Sequence, residues 1–167
     1  DPAMCPDVIY HEYTHLFTGL FIGRNRIQRS ITEGLSDYFA ASKLNHPLLY
    51  SRKTCPYIKR QLFVRGDRLD KEPGEYSPNL EKGLFRLTFI PRILWKYRTL
   101  VGARMADRTI LQAVAKSNPV TLFYPHFIQN LSDALVAEVT RENSAEMAAD
   151  IARQVEEKIY APAKLIT

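Results

Sequence analysis

The stretch DVIYHEYTHLF (Asp7 to Phe17) decides how the rest of this chain is read. It places His11, Glu12 and His15 at the spacing H-E-x-x-H. On a helix, residues four apart lie on one face, one turn above the other. Two neutral imidazoles so placed can both reach one zinc ion. The glutamate between them points about 100° round the helix, where it can handle a proton without binding the metal. All of this requires a helix, and the flanking residues supply one. Pro6 stands in the first turn, where a missing N–H does no harm. Ile9, Tyr13, Leu16, Phe17 and Leu20 recur at helical spacing and make an apolar stripe. That stripe is expected to face the core, roughly opposite the histidines, with Gly23 and Asn25 ending the helix.

A catalytic zinc needs a third protein ligand and an open position. RSITEGLSDYFAAS (Arg29 to Ser42) offers Glu33, eighteen residues after His15, and Asp37 four residues later on the same helix face. A carboxylate at Asp37 can accept the free ring N–H of a zinc-bound histidine and so fix its tautomer. Glu33 has a competing use. With Ser30 it forms an S-x-x-E capping box, in which it would only close the start of a helix. Its place between H-E-x-x-H and Asp37 favours the ligand role. This second helix is expected to begin near Ser30, to carry Ile31, Leu35, Tyr38, Phe39 and Leu44, and to stop at His46-Pro47.

The rest of the chain reads as one irregular stretch and a run of helices. Residues 47–82 are polar and rich in proline, glycine and charge, with at most a short strand at Gln61 to Val64. Helical patterns follow over Leu84 to Leu100, with Pro91 as a kink or break, and over Met105 to Val114, closed by Asn118-Pro119. Phe127 to Val139 and Ala145 to Ile159 complete the set, the last capped by Asn143 with Glu146. The expected class is mainly α with little or no sheet, as a single domain over residues 1–167.

The 167 residues are 46% hydrophobic and 25% charged, the balance of a globular chain with a real core. No apolar run is long enough to span a membrane. No signal peptide is visible, and a start at Asp1 reads as a fragment of a longer protein. The net charge is +5, with basic clusters at Arg24 to Arg29, Arg52 to Lys53 and Lys59 to Arg68. No nucleic-acid-binding pattern accompanies them, so they read as a solvated basic face, and neither nucleic acid nor membrane is expected as a partner. Cys5 and Cys55 lack C-x-x-C spacing, which argues against a thiolate zinc site; they are left as one bridge or two buried thiols. His46 is read as a cap at a helix C-terminus and His126 as a partly buried structural histidine.

H-E-x-x-H followed by E-x-x-x-D on the next helix resembles the gluzincin metallopeptidases. HEYTH … TEGLSDYFA is similar to the thermolysin and fungalysin families in particular. GLFRLTFIPRILWKYRTLVGARMADRTILQAV (Gly83 to Val114) also resembles their pattern of a glycine, an apolar helix with a tryptophan, and a further helix. The resemblance covers most of residues 5–140 and is strongest in the first 45. It implies the helical C-terminal lobe of such an enzyme, with the β-rich N-terminal lobe absent from this chain. It further implies Zn2+ held by His11, His15 and Glu33, with Glu12 as general base and proton shuttle and Asp37 orienting His11. Peptide or protein substrates and a secreted or periplasmic location follow from the same resemblance, while the oligomeric state stays open.

Two parts of the family's apparatus have no counterpart. At the place of the oxyanion-stabilising histidine, in SPNLEKG (Ser77 to Gly83), stands Asn79, and residues 16–32 contain no tyrosine. Asn79, Tyr76 and Arg24 are the candidate oxyanion or substrate contacts in their stead. The expected function is zinc-dependent hydrolysis of peptide bonds. Its alternatives are a catalytically impaired pseudo-peptidase acting as a zinc-stabilised interaction domain, and a basic helical binding module that holds no metal.

Overall fold

The computed structural model describes residues 5–22, 26–51, 55, 67–74, 85–117, 124–142 and 144–165. Helix α1 spans Pro6–Ile22 and α2 spans Arg26–Leu44; they pack side by side as the most extensive helix pair in the fold. A two-residue ladder follows, in which β1 (Leu48–Leu49) pairs antiparallel with β2 (Asp67–Arg68), Leu48 facing Arg68. Then come α3 (Phe85–Val101), α4 (Ala103–Lys116), α5 (Tyr124–Glu142) and α6 (Ala145–Val155), the last continuing into one π-helical turn over Glu156–Tyr160. The described residues are mainly helical, and none of their helices is long and apolar enough to cross a membrane. The expected strand at Gln61 to Val64 lies outside the described residues.

The core is shared by all six helices. Ile31, Leu35 and Tyr38 of α2 meet Phe89, Ile93 and Tyr97 of α3, and the cluster continues through Ile110, Phe127, Leu131 and Ile159. Where α2 crosses α3, the two helices approach so closely that only glycine fits. A Cβ on Gly34 would stand 2.7 Å from Ile90 Cβ and 3.0 Å from Pro91 Cδ. Pro91 therefore packs against α2, and α3 runs through it unbroken.

Five expectations are corrected. First, the apolar stripe of α1 does not face the core except at Phe17: Ile9, Tyr13, Leu16 and Leu20 are 48%, 70%, 72% and 82% exposed. The buried face carries Asp7, Thr14, Thr18 and Ile22 instead. Periodicity marks an apolar face but not which face is covered. The polar residues here can be buried because the helix backbone satisfies them. Thr14 Oγ1 donates to Tyr10 O at 2.8 Å and Thr18 Oγ1 to Thr14 O at 3.1 Å. Second, α2 starts at Arg26, so Ser30 lies inside the helix and the Ser30–Glu33 capping box does not form. Third, α6 is capped by Ser144, whose side chain accepts the Met147 N–H at 3.2 Å. Asn143 stands one residue too early and lies outside the described residues. Fourth, His126 is exposed, while its neighbours Phe127 and Ile128 are buried. At the end of α2, Asn45 takes a left-handed conformation (φ 49°), and the His46 N–H bonds back to Ala41 O at 3.0 Å. Fifth, the His46 imidazole accepts the Leu48 N–H at 3.1 Å, so it closes the following turn rather than the helix.

Candidate metal centre

His11 and His15, one turn apart on α1, face α2 across the most extensive helix pair of the fold. Glu33 meets them from α2. His11 Nε2 lies 3.0 Å from His15 Nε2 and 3.3 Å from Glu33 Oε2, and His15 Nε2 lies 3.5 Å from the same oxygen. Four-coordinate zinc with bonds of about 2.05 Å requires ligand atoms about 3.3 Å apart, the edge of a tetrahedron. The three atoms fit that triangle, and they form one of two clusters of metal-ligating side chains among the described residues. In the other, Cys5 and Cys55 are joined in a disulfide beside Asp7, which removes both thiolates.

The electrostatics suit a cation. Burial alone would lower the His11 pKa, but the Asp37 and Glu33 carboxylates outweigh it and hold it up at about 9. Glu33 is pushed below the usual carboxylate range, chiefly by its hydrogen bond to His11 and further by the charges of His15, His11 and Arg29 against the opposing cost of burial. Without metal, a proton on His11 Nε2 would face two acceptors, His15 Nε2 and Glu33 Oε2. A metal ion would take the place of that proton. The side chains are 12% (His11), 28% (His15) and 24% (Glu33) exposed, so solvent reaches the cluster in part. Glu12 is exposed on α1, about 100° round from His11.

The outer nitrogens of both histidines are held from α2 as well. His11 Nδ1 lies 2.8 Å from Asp37 Oδ1, and His15 Nδ1 lies 3.3 Å from Ser36 Oγ. With both Nδ1 atoms protonated, both Nε2 lone pairs point at the common centre. A third group also reaches this layer: the Tyr50 hydroxyl is 2.8 Å from His11 Nδ1 and donates to Asp37 Oδ1 at 2.5 Å. Burial, and then the Asp37 charge, push the Tyr50 phenol far above its ordinary pKa, so it stays a donor.

The structure thus brings together His11, His15, Glu33 and Asp37, and it leaves Glu12 exposed on α1. Arg24, Tyr76 and Asn79 lie outside the described residues. Ser36 and Tyr50 were missed. Ser36 was within reach, since it sits one residue before Asp37 in the same turn. Tyr50 gave no signal, because it comes from an irregular segment whose path no periodicity records. No protein-family model, no curated protein and no solved structure matches this chain.

Proposed function

We propose that this chain is the helical lobe of a gluzincin-type metallopeptidase that hydrolyses peptide bonds with zinc. The observation that carries this is the triangle of His11 Nε2, His15 Nε2 and Glu33 Oε2 at tetrahedral spacing. Zinc held there would supply a water acidified toward pKa ~7 and an electrophile for the peptide carbonyl. Glu12, outside the ligand set, would be the residue to take up a proton as general base and return it to a leaving amine. Asp37 and Ser36 keep the ligand histidines in the right tautomer. The Cys5–Cys55 disulfide supports a secreted or periplasmic setting.

The pseudo-peptidase reading draws on a different observation: no histidine occurs between His46 and His126, where the family carries its oxyanion donor. Cleavage of a diverse peptide mixture by the zinc-loaded protein, read by mass spectrometry beside Glu12→Gln, separates the two. The proposal expects cleavage that drops by ~10²–10⁴ in the variant with zinc content unchanged. Absence of cleavage by both proteins, each still holding zinc, would leave the interaction domain.

A further inference from the structure

Tyr50 is held in place at both of its ends. Its backbone lies in the left-handed region (φ 52°), where a side chain as bulky as tyrosine rarely sits. Its N–H donates to Asp7 Oδ2 at 2.7 Å, and Asp7, fully buried in the first turn of α1, takes the Val8 N–H on its other oxygen at 3.0 Å. One residue on, Ser51 O accepts the Cys55 N–H, and Cys55 is cross-linked to Cys5 at the start of α1. The first turn of α1 and the Tyr50 segment are therefore joined by a covalent bond and by a buried carboxylate. From that anchor the phenol reaches the side of His11 that faces away from the metal cluster. There it donates its only proton to Asp37, the oxygen that also faces His11 Nδ1. The His11 Nδ1–H then points at two oxygens, Asp37 Oδ1 and the Tyr50 hydroxyl, which leaves Nε2 as the ring's one lone pair.

We propose that Tyr50 is a positioning residue for the ligand His11, and that the Cys5–Cys55 disulfide with Asp7 is the clamp that holds it there. This rests on the metal reading of the site. Nothing in the ligand set calls for the clamp; its hydrogen bonds converge on one ring nitrogen through one hydroxyl.

The test is zinc affinity by chelator competition, with the Co2+ absorption spectrum as a probe of ligand geometry. Tyr50→Phe, which removes one oxygen, is expected to weaken zinc binding by ~10–100-fold and to alter the Co2+ bands. Cys5→Ser/Cys55→Ser is expected to weaken binding in the same direction. Tyr50→Phe added to that pair should cost much less than it does alone, because the clamp acts through the phenol. Wild-type affinity and spectrum in Tyr50→Phe would overturn the proposal, as would full additivity of the two changes. Should Tyr50→Phe lose its helical circular dichroism, the cysteine pair carries the test alone, and unchanged zinc affinity there overturns the proposal. Failure of the site itself looks different: the wild-type protein would bind zinc no better than Glu33→Ala, and both readings would fall together.

Discussion

Two polar clusters sit on opposite edges of α2, and they are built differently. On one edge, Asp107 of α4 accepts from Tyr38 at 2.7 Å and from Ser42 at 2.8 Å. Arg98 of α3, itself 8% exposed, approaches the same carboxylate at 3.4 Å and donates to Ser42 Oγ at 2.9 Å and Asn45 Oδ1 at 3.1 Å. Both hydroxyls there donate to the carboxylate, and the positive charge of Arg98 meets the negative charge of Asp107. The cluster is a closed latch joining three helices. On the other edge, two imidazoles and a carboxylate turn acceptor atoms toward a common point, while their outer atoms are satisfied from behind. Arg29 reaches Glu33 Oε1 from outside at 3.6 Å, and the acceptor atoms that converge at the centre call for a proton or a metal. The difference separates a polar group that stabilises a fold from one that waits for a ligand. The first saturates itself; the second is saturated only on its far side.

The largest effect should come from opening the latch. Asp107→Ala leaves the Arg98 guanidinium buried without its counter-charge, and about 3 kcal/mol of stability should be lost, read by chemical denaturation, with zinc affinity unchanged. Glu33→Ala should act on the metal site, abolishing the zinc-dependent rise in Tm while costing the metal-free protein only Glu33's share of the His11 stabilisation. If the two variants behave alike, the contrast between the clusters is wrong.

A somewhat smaller effect concerns pH in the metal-free protein. His11 binds its proton more tightly when folded, with its pKa raised from 6.5 to about 9. The stabilisation is therefore complete below about pH 6.5 and is lost as pH rises through about 9, a change of at most ~3 kcal/mol. Melting curves in chelator at pH 6 and pH 9.5 should show the drop, and zinc should remove most of it by replacing the proton. A flat metal-free profile would mean that no proton occupies the centre.

The smallest effect tests the helix that carries both clusters. Gly34→Ala must push α2 off Ile90, where a Cβ would stand 2.7 Å from its neighbour. A loss of about 1–2 kcal/mol is expected, with zinc affinity falling alongside, since Glu33 and Asp37 flank the contact. Retained stability with intact zinc binding would show that the Ile90 side chain yields and α2 does not.

The legible parts of this molecule were those written in short range. The helices of α1, α3, α4 and α5 follow from apolar spacing, from Pro6 at the start of α1 and from Asn118-Pro119 after α4. His11, His15, Glu33 and Asp37 could be named because two helices carry them at fixed helical intervals, so one pairing of those helices brings all four together. The start of α2 was misread because Ser30 fits a capping pattern that a longer helix overrides. The stripe on α1 was assigned to the core because hydrophobicity says nothing about which neighbour arrives. Tyr50 was invisible for a related reason: its position depends on a turn, a buried carboxylate and a disulfide that join segments 50 residues apart in sequence.

The sequence by itself determined the helical class and the chemistry of the cluster, because helical periodicity and imidazole–carboxylate identity are local properties. Only the tertiary structure decided which face of α1 is buried, that Glu33 stands within 3.5 Å of both histidines, and that a distant tyrosine reaches His11 from behind. Those are properties of how helices and loops meet, and packing between segments far apart in the chain leaves no pattern in either segment alone.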